Sequence, residues 1–444
     1  MEDLDPRLMA ADATARDVAV IGGGWAGMAA GVTLAAAGIA VTVFEAARTL
    51  GGRARRVALA GATVDNGQHL LLGAYRSTLA LIDQVHAPGE AAALFVRTPL
   101  CLQGPGTFRL RAAPLPAPLH LLAGLLAARG CTMPERLAVV RAFVRWRVAR
   151  WTCAPAQSVA GLVQDQPAAM VAKLWTPLCL AALNTPPGAA SGQVFLSVLR
   201  DALAAERPAS DLIIPVVDLS TLFPDPAARY VGERGGRIHL GATVRGLETG
   251  DDAITVRVAG TARRFGHVVV ATAPWQAALL LRGVPAAASA CAQIAAYGYQ
   301  PITTVYLRYD TRVALPARML QLDGGPGQWL FERGAAGAGH ALLAVVISAE
   351  GPHRRLAQAD LARAVASQLR DNLPGRMPQS APTWTQVITE RRATHAATPA
   401  RAHPPAGHIG SGIYLAGDHT DPDYPATLEA AVRSGIRAAR AVQE

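Results

Sequence analysis

An α/β fold is predicted by three stretches of the sequence, two in which strands run into helices and one that is rich in short strands. Residues 17–45 contain an apolar strand, a glycine-rich turn, an alanine-rich helix and a second apolar strand. Residues 234–273 are rich in β-branched side chains separated by glycine and aspartate, which is the pattern of short strands. Residues 412–439 join an apolar strand to a helix through a loop of proline and aspartate. Strands and helices that alternate in this way are typical of a sheet covered by helices.

The first stretch, DVAVIGGGWAGMAAGVTLAAAGIAVTVFE, contains a dinucleotide-binding motif. Gly22 permits the tight turn after the strand, Gly24 lets the backbone approach a pyrophosphate, and Gly27 allows close packing of the helix. The phosphates would lie at the N-terminus of that helix, where free N–H groups and a partial positive charge favour an anion. Glu45 ends the second strand, 18 residues after Gly27, and is placed to accept hydrogen bonds from both ribose hydroxyls. The motif predicts a Rossmann-like domain that binds a dinucleotide.

The segment EAARTLGGRARR, which follows the second strand, separates the two common dinucleotides, NAD and FAD. Its Gly51-Gly52-Arg53, placed shortly after Glu45, resembles the flavoprotein superfamily of amine oxidases, phytoene desaturases and Rab GDP-dissociation inhibitors. The resemblance implies FAD, with the Gly-Gly-Arg loop beside its pyrophosphate and Arg53 making charge-assisted contacts. A glycine-rich surface turn with unrelated arginines is the alternative interpretation.

Two later segments extend this resemblance to the rest of the cofactor site. The segment around Val244 resembles the returning segment of the superfamily, whose backbone would pack on the adenine; an ordinary core valine is the alternative. Gly417-Asp418 resembles the superfamily motif whose carboxylate bonds the ribityl chain or the pyrophosphate, and a plain turn or N-cap residue is the alternative for Asp418. The helix that begins near 425–427 would direct its N-terminus at the flavin and stabilise the anionic reduced form.

The resemblance implies a discontinuous Rossmann-like (GR2-type) FAD-binding domain and an α+β substrate domain. The FAD-binding domain would comprise about 16–105, 225–280 and 405–444, and the substrate domain would comprise about 106–224 and 281–404. The residues expected to bind FAD are Gly22, Gly24, Trp25, Ala26, Gly27, Glu45, Ala46, Gly52, Arg53, Gly67, Gln68, His69, Val244, Gly417, Asp418, Ala426, Thr427 and Leu428.

The stretch VDNGQHLLLGAY, which follows the Gly-Gly-Arg loop, is expected to pass the flavin ring. Gly67 would permit close approach of the backbone, and Asn66, Gln68 and His69 would offer polar contacts. The three leucines that follow would become core or the wall of a substrate tunnel. A histidine beside a strand end often serves only as a structural hydrogen bonder, and that role is the alternative for His69.

Three features separate the chain from the amine oxidases. Those enzymes usually carry a lysine on the strand that here reads YGYQPITTVYLRYD, and Thr303 or Thr304 stands near that position. Aromatic residues make up 5% of the chain, which leaves few for a cage around an amine. No cysteine follows Cys291, so the covalent flavin attachment of monoamine oxidases is absent and FAD is expected to bind non-covalently.

A more specific resemblance, to the hydroxysqualene dehydroxylase family of bacterial hopanoid synthesis, rests on four strings. They are DNGQHLLLGAY, PLCLAALNTPP, SDLIIPVVDLSTLFPDPAARY and GDHTDPDYPATLEAAVRSG, the last of which replaces the HPGGG-like run usual in bacterial phytoene desaturases. The resemblance implies reductive removal of the hydroxyl from hydroxysqualene to give squalene and water, with an unidentified electron donor for the flavin. Two alternatives are an FAD-dependent desaturase of another long isoprenoid and a non-catalytic prenyl-binding protein of the same fold.

Such a dehydroxylation needs a general acid beside the hydroxyl and an apolar tunnel that protects an allylic cation from water. The acid candidates are Asp65, His69, Asp211 and Asp218. His69 is preferred because it follows the Gly-Gly-Arg loop and should lie near the flavin ring. Asn184 and Thr303 are expected to line the tunnel, and a turn cap before two prolines is the alternative role of Asn184.

The charge of the chain bears on its partners. The formal net charge is +10 and Lys173 is the only lysine, so arginine supplies nearly all of the positive charge. The arginines are scattered without interleaved aromatic residues, so nucleic acid is not an expected partner. A membrane surface is more plausible. The segments LRAAPLPAPLHLLAGLLAARG and PERLAVVRAFVRWRVARW predict helices that either pack on the core or present a basic amphipathic face that admits a lipid.

Cysteine content and the chain start bear on location. The five cysteines are far apart, odd in number and without a CxxC pair, so neither a disulfide framework nor a metal site is predicted. The first sixteen residues are polar and do not resemble a signal peptide. No run approaches the roughly 18 apolar residues that span a bilayer. We expect a cytoplasmic protein, either free or peripheral on the inner face of the cytoplasmic membrane.

Overall fold

The computed structural model describes residues 17–104, 106–250, 252–333 and 340–444. The sixteen N-terminal residues, predicted not to be a signal peptide, lie outside the described residues, as does the first position of the predicted FAD-binding domain. No helix in the described part of the chain is long and apolar enough to cross a bilayer.

The strands of the described residues are mostly short and fall into several sheets. They are β1 (Val18–Ile21), β2 (Val41–Phe44), β3 (Arg56–Leu59), β4 (Ala62–Asp65), β5 (Leu71–Leu72), β6 (Phe95–Thr98), β7 (Cys101–Gln103), β8 (Arg109–Arg111), β9 (Leu212–Pro215), β10 (Arg237–His239), β11 (Val244–Thr249), β12 (Ile254–Val258), β13 (Thr261–Phe265), β14 (His267–Val270), β15 (Tyr299–Tyr309), β16 (Met319–Gln321), β17 (Trp329–Glu332), β18 (Ala341–Ser348), β19 (Trp384–His395), β20 (Gly407–Gly410) and β21 (Ile413–Leu415).

The α-helices of the described residues are concentrated in the first half of the chain and at its end. They are α1 (Trp25–Ala36), α2 (Arg76–Val85), α3 (Leu119–Leu126), α4 (Met133–Val148), α5 (Val159–Leu162), α6 (Ala168–Met170), α7 (Thr176–Leu183), α8 (Gly192–Leu199), α9 (Leu219–Leu222), α10 (Pro224–Glu233), α11 (Pro274–Leu281), α12 (Ala288–Ala295), α13 (Gln358–Asn372) and α14 (Leu428–Gln443).

A six-stranded sheet, in the order β10-β2-β1-β14-β21-β20, forms the first layer. All strands are parallel except β20, which is antiparallel to β21. Ile21 at the end of β1 lies opposite Phe44 in β2 and Val270 in β14, so the loops after these strands meet at one edge of the sheet. The predicted α/β class is confirmed. The strands of this sheet come from 18–44, 237–270 and 407–415, which are parts of the three segments predicted for the FAD-binding domain.

Alternation along β1 places helices on one face of this sheet and a smaller sheet on the other. Val18 and Val20 belong to the apolar cluster formed with α1, α10 and α14. Ala19 and Ile21 belong to the cluster formed with β11, β12, β13 and α11. Successive side chains of a strand point to opposite faces. The buried strand therefore reads as a continuous apolar run, VAVI, in the sequence.

A five-stranded antiparallel sheet, in the order β16-β17-β18-β15-β19, forms the second large layer. Val305, Leu343 and Leu369 belong to the apolar cluster between one face of this sheet and α13. Trp329, Phe331 and the other side chains of the opposite face belong to the cluster built with α3 to α8. The two faces are thus both covered, which explains the apolar character of β15 and β18.

A small sheet, β5-β9-β6, joins the two predicted domains. Leu71 and Leu72 pair with Ile213 and Leu212. β5 and β6 fall in the segment predicted for the FAD-binding domain, whereas β9 falls in the segment predicted for the substrate domain. One short strand from the substrate segment therefore anchors that segment directly to the loop that follows the Gly-Gly-Arg motif.

Candidate active site

A cavity of about 650 Å³ is lined by residues from the carboxyl edge of the six-stranded sheet, from the five-stranded sheet and from α7 and α8. This volume is typical of a binding site for a small molecule or cofactor. One end of the cavity carries glycines and charged side chains, and the other end is almost entirely apolar.

The turn between β1 and α1 forms the floor of the polar end. Gly22 has φ +107°, and a Cβ there would lie 2.7 Å from the carbonyl oxygen of Ala271, so only glycine fits. A Cβ on Gly27 would lie 1.8 Å from the carbonyl oxygen of Gly22. Gly27 therefore packs the helix on the turn, and it does not line the cavity, whereas Gly22, Gly24, Trp25 and Ala26 do.

The N-terminus of α1 is open to the cavity. A Cβ on Gly24 would have as its nearest neighbour the Cα of Gly52, at 3.9 Å, so space remains above the backbone. Among the described residues no side chain caps this helix. First-turn N–H groups without a protein partner, at the positive end of a 12-residue helix, suit the pyrophosphate of a dinucleotide. Trp25 is fixed beside them because its indole N–H donates to the carbonyl oxygen of Ala54 at 2.9 Å.

Glu45 lines the same end of the cavity, together with Ala46 and Val244. Its Oε2 accepts from the backbone N–H of Gly23 at 2.6 Å, and its Oε1 accepts from that of Ala47 at 2.8 Å. The carboxylate is thereby held in place, and each oxygen keeps a second acceptor site. This arrangement fits a ribose diol.

Arg53 and Asp418 form an ion pair on the cavity wall, although 365 residues separate them in the sequence. Arg53 Nη2 lies 2.7 Å from Asp418 Oδ2, and its Nη1 donates to the carbonyl oxygen of Ala393 at 2.7 Å. Burial disfavours the charged form of Asp418, but the Arg53 guanidinium holds the pKa of this carboxyl well below its usual range. The buried Asp418 Oδ1 has no hydrogen-bond partner among the described residues. A permanently ionised carboxylate with a free oxygen fits the hydroxyls of a ribityl chain.

The N-terminus of α14 closes the polar end. Ala426, Thr427 and Leu428 line the cavity, and the Thr427 hydroxyl caps the helix by accepting from the N–H of Ala430 at 3.2 Å. The helix has 16 residues, so its positive end favours an electron-rich ligand at this place. Gly417, which also lines the cavity, has φ +148°, and a Cβ there would lie 2.5 Å from the His419 ring.

Gly67, Gln68 and His69, from the stretch that was expected to pass the flavin ring, line the cavity. The N–H of Gln68 donates to Thr304 Oγ1 at 3.3 Å, and the Gln68 amide donates to the carbonyl oxygen of His69 at 2.8 Å. Gln68 Oε1 is buried without a partner among the described residues. Leu70 and Leu72 line the cavity, whereas Leu71 is fully buried behind it.

His69 is held by its own loop. Its Nδ1 lies 2.8 Å from the carbonyl oxygen of Gly67. A carbonyl oxygen only accepts hydrogen bonds, so Nδ1 carries the hydrogen and Nε2 is the nitrogen that gains or loses a proton. Burial lowers the pKa of His69, so the neutral ring predominates at neutral pH and the protonated ring is a stronger acid than an exposed imidazolium.

The apolar end of the cavity is a long wall of aliphatic and aromatic side chains from the β7 hairpin, α7, α8 and the five-stranded sheet. Its larger members include Leu102, Leu178, Phe195, Val198, Met319 and Phe331. Both helices of this wall adjoin a π-helical stretch, Val171–Trp175 before α7 and Arg200–Ala204 after α8. Such stretches are frequent at functional sites.

Asp65, predicted as an acid candidate, is not among the residues that line the cavity. Its Oδ2 lies 2.7 Å from Arg333 Nη2, and its Oδ1 accepts from the N–H of Leu219 at 2.8 Å. Burial outweighs the attraction of Arg333 and raises the pKa of Asp65 to about 6. The carboxyl therefore links the end of β4 to the start of α9 and to Arg333, the residue that follows β17.

Asp211 and Asp218, the other carboxyl candidates, are also tied to protein groups and lie outside the cavity lining. Asp211 Oδ2 pairs with Arg97 at 2.9 Å. Asp218 is the N-cap of α9 and accepts from the N–H of Thr221 at 2.9 Å, and it pairs with Arg56 at 3.3 Å. Both carboxylates therefore stabilise local structure, which leaves His69 as the predicted acid that faces the cavity.

The two predicted substrate residues differ in position. Asn184 lines the cavity but ends α7 in the left-handed conformation, with φ +47°. Its amide nitrogen donates to Thr394 Oγ1 at 2.9 Å and its oxygen accepts from the N–H of Ala349 at 2.7 Å, so its polar atoms tie α7 to the sheet. Thr303 does not line the cavity, because its hydroxyl faces Thr389 at 2.9 Å on the other side of β15; Ile302 and Thr304 share the cavity side.

Glu390, on β19, is a cavity residue that the sequence reasoning missed. Its Oε2 accepts from the Asn66 amide at 3.3 Å, and its Oε1 accepts from the backbone N–H of Arg392 at 3.3 Å. The other carboxylates in the cavity lining are Glu45, which accepts from backbone N–H groups at 2.6 and 2.8 Å, and Asp418, which is paired with Arg53 at 2.7 Å. Glu390 is therefore held by the longest contacts of the three. The local string TERR gives no signal of this role, because only the pairing of β19 with β15 brings Glu390 to the cavity.

Comparison with known proteins agrees with this geometry. The family model of the flavin containing amine oxidoreductases matches residues 25–443. Hydroxysqualene dehydroxylase of Rhodopseudomonas palustris is 31% identical, over 96% of this chain and 97% of that protein. Hydroxysqualene dehydroxylase of Zymomonas mobilis is 26% identical, over 95% and 97%. A probable zeta-carotene desaturase of Synechococcus elongatus is 24% identical, over 96% and 98%.

Solved structures show the same fold at low sequence identity. Cyclohexylamine oxidase from Brevibacterium oxydans superposes with a TM-score of 0.73 at 17% identity, covering 96% of this chain and 98% of that one. A putrescine oxidase variant gives a TM-score of 0.72 at 15% identity, covering 96% and 99%. The family match over residues 25–443 shows that a flavin is the cofactor and that the protein is a flavin-dependent oxidoreductase. The chain belongs to the flavin containing amine oxidoreductases and, within them, to the hydroxysqualene dehydroxylase family.

Proposed function

We propose that the protein binds FAD non-covalently and catalyses the reductive dehydroxylation of hydroxysqualene to squalene, a step of hopanoid synthesis. The observation that carries the proposal is one continuous cavity, with dinucleotide-type features at one end and a long apolar wall at the other. An isoprenoid alcohol needs an apolar environment for its chain and a polar group only at its hydroxyl. The names of three relatives that cover almost the whole chain support the same substrate.

FAD, when bound and reduced, would supply a hydride. The chain would hold it through the N-terminus of α1 at the pyrophosphate, Glu45 at the ribose and Asp418 at the ribityl hydroxyls. Glu45 and Asp418 are both fixed by protein contacts before any ligand binds, so little side-chain entropy is lost on binding. An external electron donor has to return two electrons for each turnover.

The proposed reaction breaks the C–O bond, releases the hydroxyl with one proton as water, and forms one C–H bond. Protonated His69 would give its Nε2 proton to the leaving hydroxyl, while its Nδ1–H stays bonded to the carbonyl oxygen of Gly67. The apolar wall would exclude water from the allylic cation. The Glu390 carboxylate would stabilise that cation by charge.

A second candidate function is desaturation of a long isoprenoid, with hydride moving in the opposite direction. The similarity to a probable zeta-carotene desaturase supports desaturation as the second candidate function. The cavity would serve both reactions, since both need FAD beside an apolar chain. The two differ in the redox state of the cofactor that starts the reaction.

The test is an anaerobic incubation of the purified protein with FAD, a chemical reductant and hydroxysqualene, followed by mass spectrometry of the extracted lipid. We expect squalene, and none when either FAD or the reductant is omitted. A parallel incubation with oxidised FAD and zeta-carotene or phytoene tests the desaturase. Desaturated product in that incubation, without squalene in the first, would refute the dehydroxylase proposal.

The cytoplasm is the compartment that we propose. All five cysteines belong to the described residues and none is in a disulfide, which suits a reducing compartment. The test is fractionation of cells that express the tagged protein, and recovery of the protein in the periplasmic fraction would contradict the assignment.

A further inference from the structure

Exposed apolar side chains are concentrated on one part of the surface. Of the twelve large apolar side chains that are exposed among the described residues, eight lie between 115 and 148 and are 38% to 79% exposed. We call this the α3–α4 surface. Its members are Leu115, Leu119, Leu122, Leu126, Met133, Leu137, Val144 and Val148. A concentration of this kind on a folded protein marks an interaction site.

Helix periodicity shows that this exposure belongs to one side of each helix. On α3, Leu119, Leu122 and Leu126 follow each other at spacings of three and four residues, whereas His120 and Leu125 are buried. Residues at these spacings share a face. On α4, Leu137, Val144 and Val148 share one side at spacings of seven and four residues with the exposed Arg141 between them, while Val139, Ala142 and Trp146 are buried. Each helix therefore packs one apolar side on the core and presents further apolar side chains outward, which on α4 are mixed with arginine.

The charge around the α3–α4 surface is strongly positive. The segment 106–150 contains eight arginines and one acidic residue, Glu135, so its formal charge is 8 − 1 = +7 out of +10 for the chain. Arg111 and Arg129 flank an uncharged run of seventeen residues, 112–128. Arg145 pairs with Asp165, which offsets one charge. The surface combines an apolar centre with a cationic rim.

The α3–α4 surface also lies directly over the apolar end of the cavity. His120, on the inner side of α3, hydrogen-bonds through Nε2 to Ser210 Oγ at 3.2 Å, and Ser210 lines the cavity. A Cβ on Gly124 would lie 2.3 Å from the carbonyl oxygen of Arg111, so α3 rests on β8 without a gap. The partner strand of β8 contributes Leu102 to the cavity wall. One layer of protein therefore separates the exposed leucines from the apolar cavity.

We propose that the α3–α4 surface docks into the interface of an anionic lipid bilayer. The apolar side chains would enter the boundary between headgroups and acyl chains, and the arginines would contact lipid phosphates. With eight residues, α3 is about 12 Å long, so it would lie in the plane of the membrane. Docking there would bring the apolar end of the cavity close to the bilayer interior, in which a water-insoluble isoprenoid is dissolved.

A second copy of the chain is a poorer occupant of the same surface. A symmetric dimer through this face would bring two segments of charge +7 together, which is repulsive. An anionic bilayer has the complementary sign. The charge therefore favours lipid over self-association.

The test is sedimentation of the FAD-loaded protein with vesicles, without substrate, so that its result is independent of the proposed reaction. Vesicles of phosphatidylcholine with and without phosphatidylglycerol are compared. The variant carries Leu119→Ser, Leu122→Ser and Leu126→Ser, and the matched control carries Leu240→Ser, Leu279→Ser and Leu356→Ser, which are equally exposed elsewhere. Flavin absorbance and thermal melting show that both fold.

We expect the α3 variant to lose vesicle binding about tenfold or more, and the control variant to bind as the wild type does. Arg129→Gln with Arg141→Gln should weaken binding only to the vesicles that contain phosphatidylglycerol, and added salt should do the same. The proposal is overturned if the folded α3 variant binds vesicles like the wild type, or if the wild type binds neither kind of vesicle. It is equally overturned if sedimentation equilibrium shows a wild-type dimer that the α3 variant dissociates while vesicle binding is unaffected.

Discussion

Replacing Arg53 with methionine should weaken FAD binding through the carboxyl of Asp418. Methionine keeps much of the apolar stem of arginine but removes the guanidinium, which lies 2.7 Å from Asp418 Oδ2. Asp418 is 5% exposed, and burial alone would raise its pKa. Burial alone raises the pKa of a carboxyl by up to about 3 to 5 units, and at Asp418 the neighbouring His419 and His395 offset part of this rise. The pKa of Asp418 should therefore rise towards neutral in the variant, and part of the population would be protonated.

A neutral Asp418 offers the ribityl chain an ordinary hydrogen bond in place of a charge-assisted one. A bond to a charged group contributes about 1.5 to 3 kcal/mol and an ordinary one about 0.5 to 1.5 kcal/mol. The difference of about 1 to 1.5 kcal/mol corresponds to an increase of about 5- to 13-fold in the Kd for FAD. The pH dependence of stability also reverses, because the pKa of Asp418 is shifted in opposite directions in the wild type and in the variant. In the wild type the depressed pKa of Asp418 stabilises the fold above the usual carboxyl range, and this is lost as pH falls through the folded value. In the variant, stability instead decreases as pH rises through the elevated pKa.

The assay is a titration of apoprotein with FAD, followed by quenching of flavin fluorescence at several pH values. The loss of affinity in the Arg53→Met variant should be largest near neutral pH and shrink as alkaline pH ionises Asp418. Arg56→Met is the matched control, because Arg56 pairs with Asp218 and Asp225 on the surface, where such pairs contribute little. Wild-type affinity of the Arg53 variant at neutral pH would refute the assignment of Asp418 to the cofactor.

Three further predictions concern the acid, the core and the apolar end of the cavity. His69→Gln should slow squalene formation by about 10²- to 10⁴-fold. Because burial lowers the pKa of His69, the wild-type rate should rise as pH falls below neutral. The same dependence of rate on pH in the variant would contradict the role of His69 as the acid. Arg333→Met leaves Asp65 buried without its partner, so the free energy of unfolding in urea should fall by about 3 to 5 kcal/mol at alkaline pH. The loss should be much smaller near pH 5, because Asp65 has a pKa of about 6 and is mostly neutral there. Equal losses of unfolding free energy at both pH values would contradict this. Ala182→Trp adds bulk to the cavity wall, so KM for the isoprenoid should rise while the Kd for FAD stays unchanged, and a joint change in both constants would contradict a role in substrate binding alone.

The dinucleotide turn was predictable because its main constraints are local. Gly22 has φ +107°, and Gly27 packs against the carbonyl oxygen of Gly22 in the same turn; the contact of Gly22 with Ala271 is long-range and could not be predicted. Glu45 follows from the length of one strand–helix–strand unit. The Gly417-Asp418 pair was found by resemblance, but its ion pair with Arg53 spans 365 residues, and nothing in either local string specifies the other.

The acid candidates show where sequence reasoning fails. Asp65 and Asp218 were candidates by their place in the chain. In the structure Asp65 is bound to Arg333 and to the N–H of Leu219, and Asp218 caps α9. Thr303 was placed on the wrong side of β15, because the side that faces the cavity is set by pairing with β18 and β19. Glu390 reaches the cavity through the same pairing. Long-range register, which a single sequence does not carry, decides the positions of Thr303 and Glu390, whereas the N-cap role of Asp218 is a local contact.

Buried polar atoms without partners concentrate beside the cofactor end of the cavity, and this concentration links cofactor binding to folding. Among the described residues, Asp418 Oδ1, both ring nitrogens of His419, His395 Nδ1 and Arg401 Nε are buried and unpaired. His419 Nδ1 lies 3.8 Å from Asp418 Oδ1, so a small shift would join them. Each unpaired group costs about 1 to 3 kcal/mol. A ligand that bonds Asp418 Oδ1 relieves one such cost and, by binding only the folded state, adds its own stabilisation. The loop from Gly417 to Asp421 should therefore be the first part of the FAD-binding domain to open when the cofactor is removed, which hydrogen exchange on the apo and FAD-loaded proteins would measure.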